Sequence, residues 1–188
     1  MPNFRNRLTR PQQRIYDRSN ATTAVPLRPT PRLRAAVTAF PGILLSADRA
    51  RVEQASQFIA DEICMVLRVA RVRIAVSGTR PADTRGELHG LYTPSSSREA
   101  ATIKVWMITA KRGQIVAFKT YLRTLLHEIG HHLDYTLLRL TESFHTDGFY
   151  RRESSLFHQI GAASAAARGA AQPEVRVLSG IAAPAPLQ

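Results

Sequence analysis

Two histidines, His127 and His131, stand four residues apart in the run Leu-Leu-His-Glu-Ile-Gly-His-His-Leu-Asp, from Leu125 to Asp134, with Glu128 between them. On a helix, residues i and i+4 lie one above the other on the same face. Two imidazoles stacked in that way can share one Zn²⁺, and a carboxylate at the intervening position leans over the adjacent open site. A zinc hydrolase needs this set: two nitrogen ligands, a third from elsewhere, and Glu128 as the base that takes a proton from water.

The third ligand must come from beyond this run. His145 lies in a loop, Ser-Phe-His-Thr-Asp-Gly-Phe, that can fold back over the helix, and Glu153 in the following helix is the alternative. Asp134 falls on the histidine face one turn past His131, placed to hydrogen-bond the far nitrogen of a liganding imidazole. His132 points about 100° away from His131 and reads as a packed or capping residue. His89 reads as a surface histidine able to line a cleft, and His158 has no supporting spacing. Tyr92, Tyr135 and Tyr150 are open candidates for stabilising an oxyanion. Glu153 could also form a structural ion pair with Arg151 or Arg152.

The elements that must position these residues can be read from periodicity. A helix capped by Ser46 or Asp48 runs to about Arg68, with apolar residues at helical spacing. Val69–Val76 alternates as a half-buried strand, Glu87–Thr93 is a weaker strand, and Thr102–Ala110 is a strong one. A long helix from about Gln114 to Leu140 carries the motif. Its Leu122, Leu126, Ile129, Leu133, Leu137 and Leu140 form one stripe, with His127, His131 and Asp134 roughly opposite. Gly130 costs helix stability but lets another segment approach. A second helix follows from about Phe149 to Ala167. The expectation is an α+β domain in the order α-β-β-β-α-α over residues 46–168, with a low-complexity tail at 169–188.

Residues 1–45 hold six prolines and many arginines but one acid, Asp17, and read as a disordered basic arm. The formal charge is +12, and of 26 basic residues only Lys104, Lys111 and Lys119 are lysines. Arginine suits phosphate contacts, so DNA or RNA is a candidate partner of the arm. The other source of such a composition is arginine- and alanine-rich coding. The single cysteine, Cys64, excludes an internal disulfide framework and fits a reducing compartment. No run reaches the length of a membrane span, and no secretory pattern opens the chain, so a cytoplasmic protein is expected.

The motif helix after an α-β-β-β run resembles the zincin metallopeptidases. Thr-Leu-Leu-His-Glu-Ile-Gly-His-His, with His145 followed by x-x-x-Phe, is similar to their SprT-like branch over about thirty residues, Leu125 to Leu156. The resemblance implies His145 as third zinc ligand, although Phe144 stands where that pattern has glycine. With Glu153 as third ligand the chain would instead resemble the gluzincins. It further implies a peptide or protein substrate, with Glu87–Thr93 or Thr102–Ala110 as the edge strand that pairs with it. Some SprT-like proteins cleave proteins bound to DNA, which would fit the arginine content. Two rival readings stand beside it: a basic nucleic-acid-binding protein, and a non-catalytic fold stabilised by zinc.

Overall fold

The computed structural model describes residues 4–84 and 86–170, with side chains described to residue 161. Over this span the chain is α+β. A 3₁₀ turn (Phe4–Arg7) precedes α1 (Arg10–Ala21), α2 (Pro31–Leu45) and α3 (Arg49–Leu67). Then come β1 (Arg73–Thr79), β2 (Ala82–Asp83), β3 (Gly86–Glu87), β4 (Gly90–Thr93) and β5 (Thr102–Ile108), and finally α4 (Phe118–Thr136) and α5 (Asp147–Ala170). No helix among the described residues is long and apolar enough to cross a membrane.

The main sheet has the order β1-β5-β4, β1 parallel and β4 antiparallel to β5. One face of β5 sends Ile103, Val105 and Met107 into the core beside Ile74 and Val76 of β1. On the other face Lys104 lies over the Trp106 ring. The two edges of this sheet differ. Along β1, α3 satisfies the open amides with side chains: Glu53 accepts from Val76 N–H and Gln57 from Ile74 N–H, both at 2.8 Å. The outer edge of β4 pairs with no other strand among the described residues. An edge left open in this way is a template for an added strand.

The N-terminal segment departs from expectation: it is folded and packed, not a disordered arm. Thr9 caps α1 in a capping box with Gln12, and Thr30 caps α2, each with a proline in the first turn. There proline's missing N–H has no helical partner to lose. Leu33, Val37, Phe40 and Leu44 line one face of α2 and are buried. Phe40 sits 5.3 Å from the Tyr121 ring and 6.0 Å from that of Phe118. Between the helices, Val25 and Leu27 are buried, and Gln159 of α5 bonds both backbones, accepting from Leu27 N–H and donating to Val25 O. These residues belong to the same core as α3, α4 and the sheet, so position 45 is not a domain boundary.

Other boundaries differ from expectation for local reasons. Arg68 takes a left-handed conformation (φ 54°) that closes α3, so β1 begins four residues late and runs on through Ser77-Gly78 along β5. The expected strand Glu87–Thr93 is divided: Glu87 belongs to the small β2–β3 pair, and only Gly90–Thr93 joins the main sheet. Helix α4 begins at Phe118 because Gly113 (φ 60°) folds residues 109–116 back on β5, with Ile115 bridging Ile108. Helix α5 continues to Ala170, and the rest of the expected tail lies outside the described residues.

Candidate metal centre

Helix α4 buries its leucine stripe and turns His127, His131 and Glu128 toward β4 and the loop before α5. His145 Nε2 lies 3.0 Å from His127 Nε2 and 3.1 Å from His131 Nε2. Three imidazole nitrogens thus converge on one point. Tetrahedral ligands at about 2.0–2.1 Å from zinc stand about 3.3 Å apart, close to the observed spacing.

The opposite ring nitrogens explain why these lone pairs face inward. His127 Nδ1–H donates to Glu153 Oε2 at 3.0 Å. His131 Nδ1–H donates to Ser143 Oγ at 2.7 Å, and Ser143 in turn donates to Asp134 Oδ2 at 2.7 Å. In the neutral tautomers set by these bonds, both Nε2 atoms are acceptors. His145 could offer one proton to only one of them at a time. A cation satisfies all three together, and neutral imidazoles are what a divalent metal requires. Burial drives the His131 pKa down to about 3, helped by His127 and His145, and also lowers that of His145.

Phe149, buried at the first turn of α5, packs its ring against all three imidazoles at 4.6–5.3 Å. Gly130 makes room for it: a Cβ there would touch the Phe149 ring at 3.3 Å.

Glu128 lies beneath β4. The Tyr92 amide donates to its carboxylate, and burial raises its pKa to about 7 against the pull of His127 and of that amide. Strand and carboxylate are so close that a Cβ on Gly90 would come within 2.7 Å of Glu128 Cγ. Two lobes of the cleft meet here. One, of about 310 Å³, is lined by His89, Arg123, Thr124 and Glu153; the other, of about 360 Å³, by Leu91, Tyr92, Tyr135 and Ser143.

The structure thus brings together His127, Glu128, His131 and His145. Glu153 is placed behind His127, with a longer 3.6 Å contact to Arg123, and its Nδ1 contact sets it outside the converging nitrogens. Arg152, considered as Glu153's partner, instead meets Asp134 Oδ1 at 2.8 Å. Asp134 reaches His131 only through Ser143. His132 is a satisfied core histidine, donating to Ala70 O at 2.7 Å and facing the Tyr92 hydroxyl at 3.3 Å. That engages the Tyr92 phenol; Tyr135 lines the same cleft with its ring stacked 5.7 Å from that of Tyr92, and Tyr150 stacks on His145. Sequence reasoning missed Ser143, Arg123 and the role of Gly90, none of which has a local signature, and it paired Arg152 with the wrong carboxylate.

No family model matches this sequence, and neither a curated protein nor a solved structure is significantly similar to it.

Proposed function

We propose that the chain is a zinc-dependent metallopeptidase of zincin-like arrangement, nearest in its motif to the SprT-like branch. The observation that carries this reading is the convergence of three imidazole Nε2 atoms beside a carboxylate, beneath an open strand edge. His127, His131 and His145 would hold the cation, with Glu153 and Ser143 orienting the first two rings. When bound, zinc supplies Lewis acidity, which polarises a carbonyl and acidifies a water.

The protein's own groups supply the rest. The free edge of β4 offers backbone partners to an extended peptide, so that the substrate lies across Glu128. Glu128 accepts the proton of the attacking water and delivers it to the departing amine. Its buried position under β4 excludes bulk water from that transfer. Tyr135, which lines the cleft, would donate to a developing oxyanion. The single buried thiol supports a reducing, cytoplasmic setting.

Glu128→Gln tests the mechanism: it should keep zinc and lose peptide hydrolysis. Undiminished hydrolysis in that variant refutes it, and zinc-dependent stability without hydrolysis of any protein substrate favours a purely structural metal.

One further observation supports an acidic partner. Arg10, Arg14 and Arg18 recur every four residues along α1 and are exposed, making a basic stripe suited to nucleic acid. Replacing all three with Glu should abolish salt-sensitive DNA binding while zinc content stays unchanged.

A further inference from the structure

Helix α1 meets the metal centre by two separate routes. The first runs through Arg152, which is 3% exposed. Its guanidinium donates to Ser19 O at 2.5 Å, to Thr22 O, to Ser19 Oγ at 3.0 Å and to Asp134 Oδ1 at 2.8 Å. The carbonyls at the C-terminal end of α1 carry partial negative charge, which suits a guanidinium. From Asp134 the chain of hydrogen bonds continues to Ser143 and to His131 Nδ1.

The second route holds the loop that carries His145. Phe144 packs its ring 6.3 Å from Phe4 and 6.0 Å from Tyr16. On the other side of His145, the Gly148 N–H donates to Asn20 Oδ1 at 3.1 Å, and Thr146 Oγ1 lies 3.3 Å from Ser19 Oγ. Helix and loop are so close at Gly148 that a Cβ there would collide with the carbonyl of Asn20 and lie 2.5 Å from that of Ser19.

We propose that α1 is a positioning element of the metal centre: it orients His131 through Arg152, Asp134 and Ser143, and fixes His145 by gripping the loop on both sides. The segment whose composition suggests a solvated arm therefore sets the affinity for a divalent cation. His145, itself exposed and on a loop, would otherwise sample positions away from the other two nitrogens. Each sampled state lowers the apparent affinity by the fraction of time spent there.

The test is Co²⁺ affinity of the full chain by chelator competition, with the visible absorption of bound Co²⁺ as a second readout. Gly148→Ala and Tyr16→Ala should each weaken binding at least ten-fold and alter the spectrum. Asn20→Ala should weaken it several-fold, and Asn20→Asp, which keeps the acceptor for Gly148 N–H, should restore it. Phe40→Leu, in the core far along the chain from these contacts, serves as the control: it should lower thermal stability and leave Co²⁺ affinity alone. If Gly148→Ala does not fold, Tyr16→Ala and the Asn20 pair decide. Parent-like affinity in folded Tyr16→Ala and Asn20→Ala refutes the inference, as does an equal loss in Phe40→Leu. The inference rests on the metal-centre reading. A parent chain that binds no Co²⁺ overturns both, whereas a binding parent with unaffected variants overturns this one alone.

Discussion

Replacing Gly90 with alanine adds one methyl group at the closest approach of β4 to Glu128. The new Cβ would clash with Oε1 and lie 2.7 Å from Cγ and 2.9 Å from Cδ, where ordinary contact begins near 3.4 Å. Strand or carboxylate must therefore retreat by close to 1 Å. Glu128 has little freedom to give, because it is 6% exposed and held by the Tyr92 amide. Overpacking of this kind costs about 1–3 kcal/mol of stability. A displacement of about 1 Å at a reacting group costs roughly 100-fold in rate, equivalent to about 2.7 kcal/mol of barrier. The atoms nearest the added Cβ all belong to Glu128 and none to an imidazole, so the three histidines should keep their metal affinity. The assay is single-turnover hydrolysis of an unfolded protein substrate, with metal content and thermal melting measured on the same preparation. Expected is a loss near 100-fold at unchanged metal content. Hydrolysis within two-fold of the parent, with no loss of stability, would refute the placement of Glu128 under this strand.

Two further expectations concern the rest of the molecule. Phe40→Ala should destabilise the protein by about 3–5 kcal/mol, because the ring fills the junction between α2 and α4; denaturant unfolding that barely changes would mean the N-terminal helices do not belong to the core. Burial, aided by Asp61, pushes the Cys64 thiol from 9.0 up to about 11. That rise leaves roughly 100-fold less thiolate than an ordinary cysteine at pH 8, and access is closed besides. Iodoacetamide should therefore modify the native protein only at its unfolding rate, and rapid native labelling would contradict the burial.

The layout of α4 is legible in the sequence because it is local. Four-residue spacing on a helix dictates that His127 and His131 share a face, and the apolar stripe opposite them specifies which face is buried. The choice between His145 and Glu153 is not local: it depends on how the loop before α5 returns, and Phe149 and Gly130 decide that by packing. Asp134 reads as a direct partner of His131, and in the structure it reaches that ring only through Ser143. Nothing near Ser143 or Arg152 in sequence announces that they will meet Asp134 from elsewhere in the fold. The first 45 residues mislead for a different reason. Averaged composition hides four apolar residues of α2 at helical spacing, and Pro11 and Pro31 act as helix starters after capping threonines rather than as breakers. Those caps and that spacing are present in the sequence, and they outweigh the abundance of arginine and proline around them.

The most direct test of the metal centre is the zinc stoichiometry of the purified, reconstituted chain beside His127→Ala, His145→Ala and Glu153→Ala, each checked for folding. About one zinc is expected in the parent and none in either histidine variant. Glu153→Ala should still fill at saturating zinc, with affinity lowered about 10–100-fold through the freed His127 ring. A parent without zinc, or a site that survives loss of His145 and disappears with Glu153, would contradict the account.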